Sequence, residues 1–78
     1  MRNRVIDLNV YDAQTARVVN HMCFDDGPDF PGGVMAGGYR DGFAAAHGLE
    51  VEDDCLGTQE RYRLVDPVGV CRYVVTIT

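Results

Sequence analysis

Lysine, serine and tryptophan are absent from the 78 residues, and all seven basic side chains are arginine. Without serine there is no Ser-His-Asp nucleophile, and without lysine a phosphate-binding loop of the Walker type lacks its cation. No run of about 18 apolar residues occurs, so a membrane-spanning helix is not expected. The basic start, Met1-Arg2-Asn3-Arg4, has no apolar stretch behind it, and no secretory leader is expected either. Cysteine is scarce and odd in number. Cys23, Cys55 and Cys71 lack close spacing, which in a leaderless chain predicts reduced thiols and a cytoplasmic setting.

What is present suits one folded domain spanning residues 1–78. The apolar fraction of 46% is that of a globular chain. A chain of this length buries only about 60% of the surface exposed when unfolded, which leaves room for one core.

The hydrophobic pattern sets the fold class. Residues 4–11 alternate, with Ile6, Leu8 and Val10 on one side, and residues 17–24 alternate with Val18, Met22 and Phe24. Asp12-Ala13-Gln14-Thr15 between them predicts a hairpin. The turn formers of residues 25–33 end that unit. Over residues 34–47, Met35, Tyr39, Phe43 and Ala46 recur at helical spacing, with Arg40, Asp41, Ala44 and His47 opposite. Gly38 and Gly42 fall on the Met35 face, which predicts close approach to the sheet, and Gly48 is placed to end the helix. Residues 50–58 are ambiguous. Tyr62 with Leu64, then Cys71 to Ile77, read as two further strands joined by Asp66-Pro67-Val68-Gly69, a sequence suited to a type I turn. The expectation is α+β: ββαββ, a four-stranded antiparallel sheet with one helix on one face. The last strand is apolar on both faces, as a central strand or one covered by another chain would be.

Candidate chemistry is sparse. His21 and Cys23 share a strand face and could bind a metal with Cys71, but Cys-x-x-Cys and His-x-x-x-His spacings are missing, so neither metal nor cofactor is predicted. Asp25, Asp26 and Asp29 do not meet the calcium-loop pattern. The glycines of residues 32–38 have carboxylates beside them, which would repel phosphate. The cysteines lie in apolar or acidic surroundings that raise a thiol pKa, and no enzyme is predicted. Arg61, Arg63 and Arg72 could form a small positive patch, with pairing to Asp7 or Glu60 the plainer expectation. The net charge of −5 opposes direct nucleic-acid binding.

Charge is the remaining signal. From Asp25 to Asp54, eight carboxylates against Arg40 alone give −7, and the two flanks, at +1 each, bring the total to −5. In an extended chain Glu50, Glu52 and Asp54 point one way at intervals of about 6.6 Å. Such a row suits a groove built for nucleic acid, whereas its plain reading is a solvated acidic loop. A short, acidic, lysine-free chain without leader or motif resembles the small phage-encoded type I anti-CRISPR proteins. The resemblance rests on size, acidity and minimal α+β build. It implies a non-enzymatic inhibitor that covers a basic, DNA-binding surface of a CRISPR surveillance (Cascade-type) complex and blocks target DNA. By charge alone the partner-binding residues are Asp25, Asp26, Asp29, Glu50, Glu52, Asp53 and Asp54. The alternative is a structural or assembly domain, monomeric or a small homo-oligomer, docking through an apolar strand or helix face.

Overall fold

A computed structural model describes residues 4–78; Met1, Arg2 and Asn3 of the expected domain lie outside that range. The chain forms β1 (Arg4–Asp12), β2 (Val18–Asp26), α1 (Gly32–Ala46), β3 (Glu50–Asp53), β4 (Glu60–Val65) and β5 (Cys71–Ile77). All pairings are antiparallel, in the order β2-β1-β5-β4-β3. The fold is therefore α+β, ββαβββ, with five strands where the pattern predicts four. The added strand, β3, contains one apolar residue, Val51, among carboxylates. It forms because Val51 pairs with buried Leu64, and Glu52 sits opposite Arg63.

β5 lies at the centre, consistent with its two apolar faces. One sheet face buries Ile6, Leu8, Val10, Leu64, Val75 and Ile77 under α1, with Phe24, Phe43, Tyr62 and Tyr73 packed around them. Along each strand the next residues point the other way. Asp7, Asn9, His21, Cys23, Thr76, Arg61, Arg63 and Glu52 thus share the second face, which no helix among the described residues covers.

The helix begins two residues before the predicted start, and its buried face is turned from the predicted one. Gly32, Ala36 and Ala44 are buried, whereas Met35 is half exposed and Ala46 is exposed. Small residues decide this. A Cβ on Gly32 would lie 2.5 Å from the Asp25 carbonyl oxygen, so only glycine lets the first turn reach β2. Gly38 and Gly42, expected to face the sheet, have nothing within 4 Å of an added Cβ and face away from it. Arg40, expected outside, lays its guanidinium 4.4 Å from the centre of the Tyr62 ring. Desolvation first, then Glu60, pushes the Tyr62 phenol up to about 12. Gly48 ends the helix as predicted, at φ +67°. The Leu49 amide donates to Ala44 (2.8 Å) and the Gly48 amide to Ala45 (3.1 Å), the two bonds of a left-handed cap.

The two sheet edges are blunted differently. β3 is short and acidic. In β2, Val19 is the extra residue of a bulge opposite Val10 and Tyr11, and the Asn20 side chain accepts a hydrogen bond from the His21 amide (2.9 Å) while donating to the Tyr39 hydroxyl. Among the described residues no helix is long and apolar enough to cross a membrane.

Candidate functional site

The seven carboxylates predicted to bind a partner do not form one surface. β2 and β3 are opposite edges of the sheet, four strand spacings or about 19 Å apart. Asp25 and Asp26 end β2, which runs on through two residues assigned from sequence to the turn, and Asp29 lies in the tight turn closed by Gly27 and Phe30. Glu50, Glu52 and Asp53 belong to β3, and Asp54 lies just beyond it.

Arginines consume part of each group. Arg63 pairs with Glu52 (3.2 Å), Arg61 with Asp54 (3.2 Å) and Arg4 with Asp26 (3.4 Å). The expected positive patch is thereby neutralised, with Arg72 on Asp66 rather than on Asp7 or Glu60. Asp26 also accepts the Gly32 amide (3.1 Å), placing negative charge at the start of α1, where the helix dipole favours it. Asp53 accepts the Cys55 amide (2.8 Å), and this bond holds its carboxyl below the usual range. Among the described residues, Asp25, Asp29, Glu50 and Asp53 have no ion pair.

The corner where β2 turns into α1 combines charge with exposed apolar surface. Phe30, Val34 and Met35 are 48%, 76% and 50% exposed, Asp29 in the turn before them is exposed too, and exposed Asp25 projects from the other sheet face, toward Cys23. The glycine-rich stretch from Gly32 is helix rather than loop, so it makes no phosphate cradle.

A second constellation lies on the uncovered sheet face. Asp7 exchanges both backbone hydrogen bonds with Thr78, so its amide and carbonyl point away from β2. Asp7 and Cys23 therefore form a close, non-hydrogen-bonded pair in the β1–β2 ladder. His21, two residues before Cys23, projects from the same face. Cys23 Sγ donates to Asp7 Oδ1 (3.1 Å), His21 Nε2 lies 3.1 Å from the same oxygen, and Sγ and Nε2 are 3.6 Å apart. Among the described residues this is the one group of His, Cys, Asp and Glu with three ligand atoms within 4.8 Å of one another. His21 and Cys23 are the pair that the sequence predicts, but Cys71, expected as the third ligand, lies at the far end of β5, and Asp7 takes its place. Alternation on β1 offers Asp7 to that face; the hairpin register selects it.

The arrangement is not a nucleophilic relay. A relay needs imidazole between thiol and carboxylate, one ring nitrogen to each, whereas here Nε2 faces both. The Asp7 hydrogen bond, with desolvation and the charges of Asp7 and Asp25, pushes the Cys23 thiol up, away from nucleophilic thiolate. The bonds from Cys23 and then His21 hold the Asp7 carboxyl low.

Comparison with protein families, with characterised proteins and with solved structures finds no match to this chain.

Proposed function

We propose that this chain is a non-enzymatic protein-binding domain that docks its β2–α1 corner on a basic, nucleic-acid-binding surface of a partner and blocks that surface. The observation that carries the reading is the run of exposed Phe30, Val34 and Met35 with Asp29 in the segment that leads from β2 into α1, next to Asp25, which ends β2 on the uncovered sheet face beside Cys23. An apolar centre rimmed by like charge is the make-up of a docking surface for a partner of opposite charge. Asp26 supports the corner from within, through Gly32 and Arg4. The β3 group, Glu50, Glu52, Asp53 and Asp54, adds to the field, although Arg61 and Arg63 offset two of its four charges. The likeness to small anti-CRISPR proteins makes a Cascade-type surveillance complex the partner to test.

The test separates the two groups. Asp25→Arg with Asp29→Arg should reduce binding to the complex at least tenfold and restore its binding of target DNA. Reversal of Glu50 should have a smaller effect. Neither change should move the melting temperature by more than a few degrees, because exposed charges contribute little to stability. If DNA and this chain occupy the complex together, or if the corner double variant binds as the natural chain does, the reading fails. The same exposed Val34 and Met35 favour a second reading, self-assembly through the helix face. In that case association would depend on protein concentration, resist salt and be lost in Val34→Asp.

A further inference from the structure

We infer that Asp7, His21 and Cys23 form a binding site for a single zinc-type divalent cation on the uncovered face of the sheet. The site is independent of the docking reading and uses none of its residues. Tetrahedral zinc bonds of about 2.0–2.3 Å set ligand atoms roughly 3.3–3.8 Å apart. The three donor atoms stand 3.1, 3.1 and 3.6 Å apart, so movements of a few tenths of an ångström seat the ion.

The donor set selects the class of ion. One thiol sulfur, one imidazole nitrogen and one carboxylate oxygen suit a borderline cation, whereas calcium and magnesium take oxygen ligands. All three come from strands rather than loops. Asp7 is held by its two backbone bonds to Thr78 and lies directly across from Cys23 in the β1–β2 ladder, and the Asn20 side chain fixes the His21 amide. Ligands held on rigid elements need little ordering when the ion arrives.

The side chains of Asp7 and His21 are about half exposed, and Cys23 is exposed, so the ion has an open path from solvent. On binding, the Cys23 S–H bond breaks, its proton passes to the bulk buffer, and the sulfur electron pair forms the bond to the ion; no electron transfer is involved. Three protein ligands leave the fourth position facing solvent, where water binds.

Cobalt(II) titration of the full chain under a non-thiol reductant tests the assignment, because sulfur-to-cobalt charge transfer reports the thiolate directly. The expected result is one equivalent bound with a near-ultraviolet charge-transfer band that zinc abolishes by displacement. Cys23→Ser should remove the band. Asp7→Asn and His21→Gln should each weaken affinity by at least the roughly 10–100-fold that even outer-shell changes cost. Cys55→Ala and Cys71→Ala should leave band and affinity unchanged. Circular dichroism of each variant confirms the fold; if Cys23→Ser does not fold, the Asp7 and His21 variants decide. The assignment is overturned if no band appears at excess cobalt, if the band survives Cys23→Ser, or if Asp7→Asn binds within twofold of the natural chain.

Discussion

At Gly38 and Gly42 a methyl group would meet only open space, while the backbone there is ordinary helix. Alanine at either position should therefore stabilise the protein by about 1 kcal/mol, the intrinsic helix penalty of glycine. Thermal melting should rise by about 4–8 °C for each. Gly32→Ala should act oppositely, since its Cβ would strike the Asp25 carbonyl. The sequence pattern places these glycines on the wrong side because it centres the buried stripe on Met35, Tyr39, Phe43 and Ala46, of which only Tyr39 and Phe43 pack on the core. In the fold, Ala36 and Ala44 define closest approach, and the longer Met35 is left outside. A small residue is an ambiguous hydrophobic signal, and here it is the structural one. Asp12 gives a second prediction. Its carboxylate accepts the amides of Gln14 (2.8 Å) and Thr15 (2.9 Å), and the Thr15 bond first, then that of Gln14, holds its pKa low. A carboxyl depressed in the folded state stabilises above its unfolded pKa, and that contribution disappears as pH falls through the lower folded value. Asp12→Asn keeps an accepting oxygen but does not titrate. Urea midpoints measured from pH 7 downward should therefore fall less for this variant than for the natural chain below about pH 4.

Among the elements, strands with strict alternation were legible, the edge strand β2 included, and the short edge strand β3 was not. Ile6, Leu8 and Val10 announce β1, and Val75 and Ile77 announce β5, because each must fill one side of a pleat against the same core. β3 carries only Val51 toward that core, too little to generate a period. Its pairing is set by a partner strand that lies beyond a turn, through Leu64 behind Val51 and Arg63 across from Glu52. The Asp66–Gly69 turn was readable for the reverse reason, since its chemistry is local: the Gly69 amide donates to Asp66 (2.9 Å), and the Asp66 carboxylate accepts the amides of Val68 and Val70. Leu64 is fully buried where β4 meets both β3 and β5. Leu64→Ala should cost about 2–5 kcal/mol, a large share of the stability of so small a domain. Chemical denaturation should show a lower midpoint with an unchanged slope.

For the whole molecule, charge counted along the chain is not charge in space. The −7 segment is contiguous in sequence, yet the helical crossover sends its halves to opposite edges, and arginines outside the segment neutralise part of each. No local pattern reports a crossover, so the acidic surface was legible in amount and not in distribution. The Asp7–His21–Cys23 cluster was half legible, because two members share a strand and the third depends on register. The net charge still predicts one global behaviour: association with a basic partner should weaken steeply between low and physiological salt, mainly through a slower on-rate. Stopped-flow association at two ionic strengths checks it, and a salt-independent rate would contradict it. The strand order has a consequence in time. The middle strand, β5, is the last of the five to leave a ribosome, and until it does, β1 and β4 have no common neighbour. Until β5 pairs, the sheet is two separate pairs, β1–β2 and β3–β4, with the inner edge of β1 open to any passing strand. Insertion of Cys71–Ile77 between β1 and β4 is thus the step that closes this protein to mispairing.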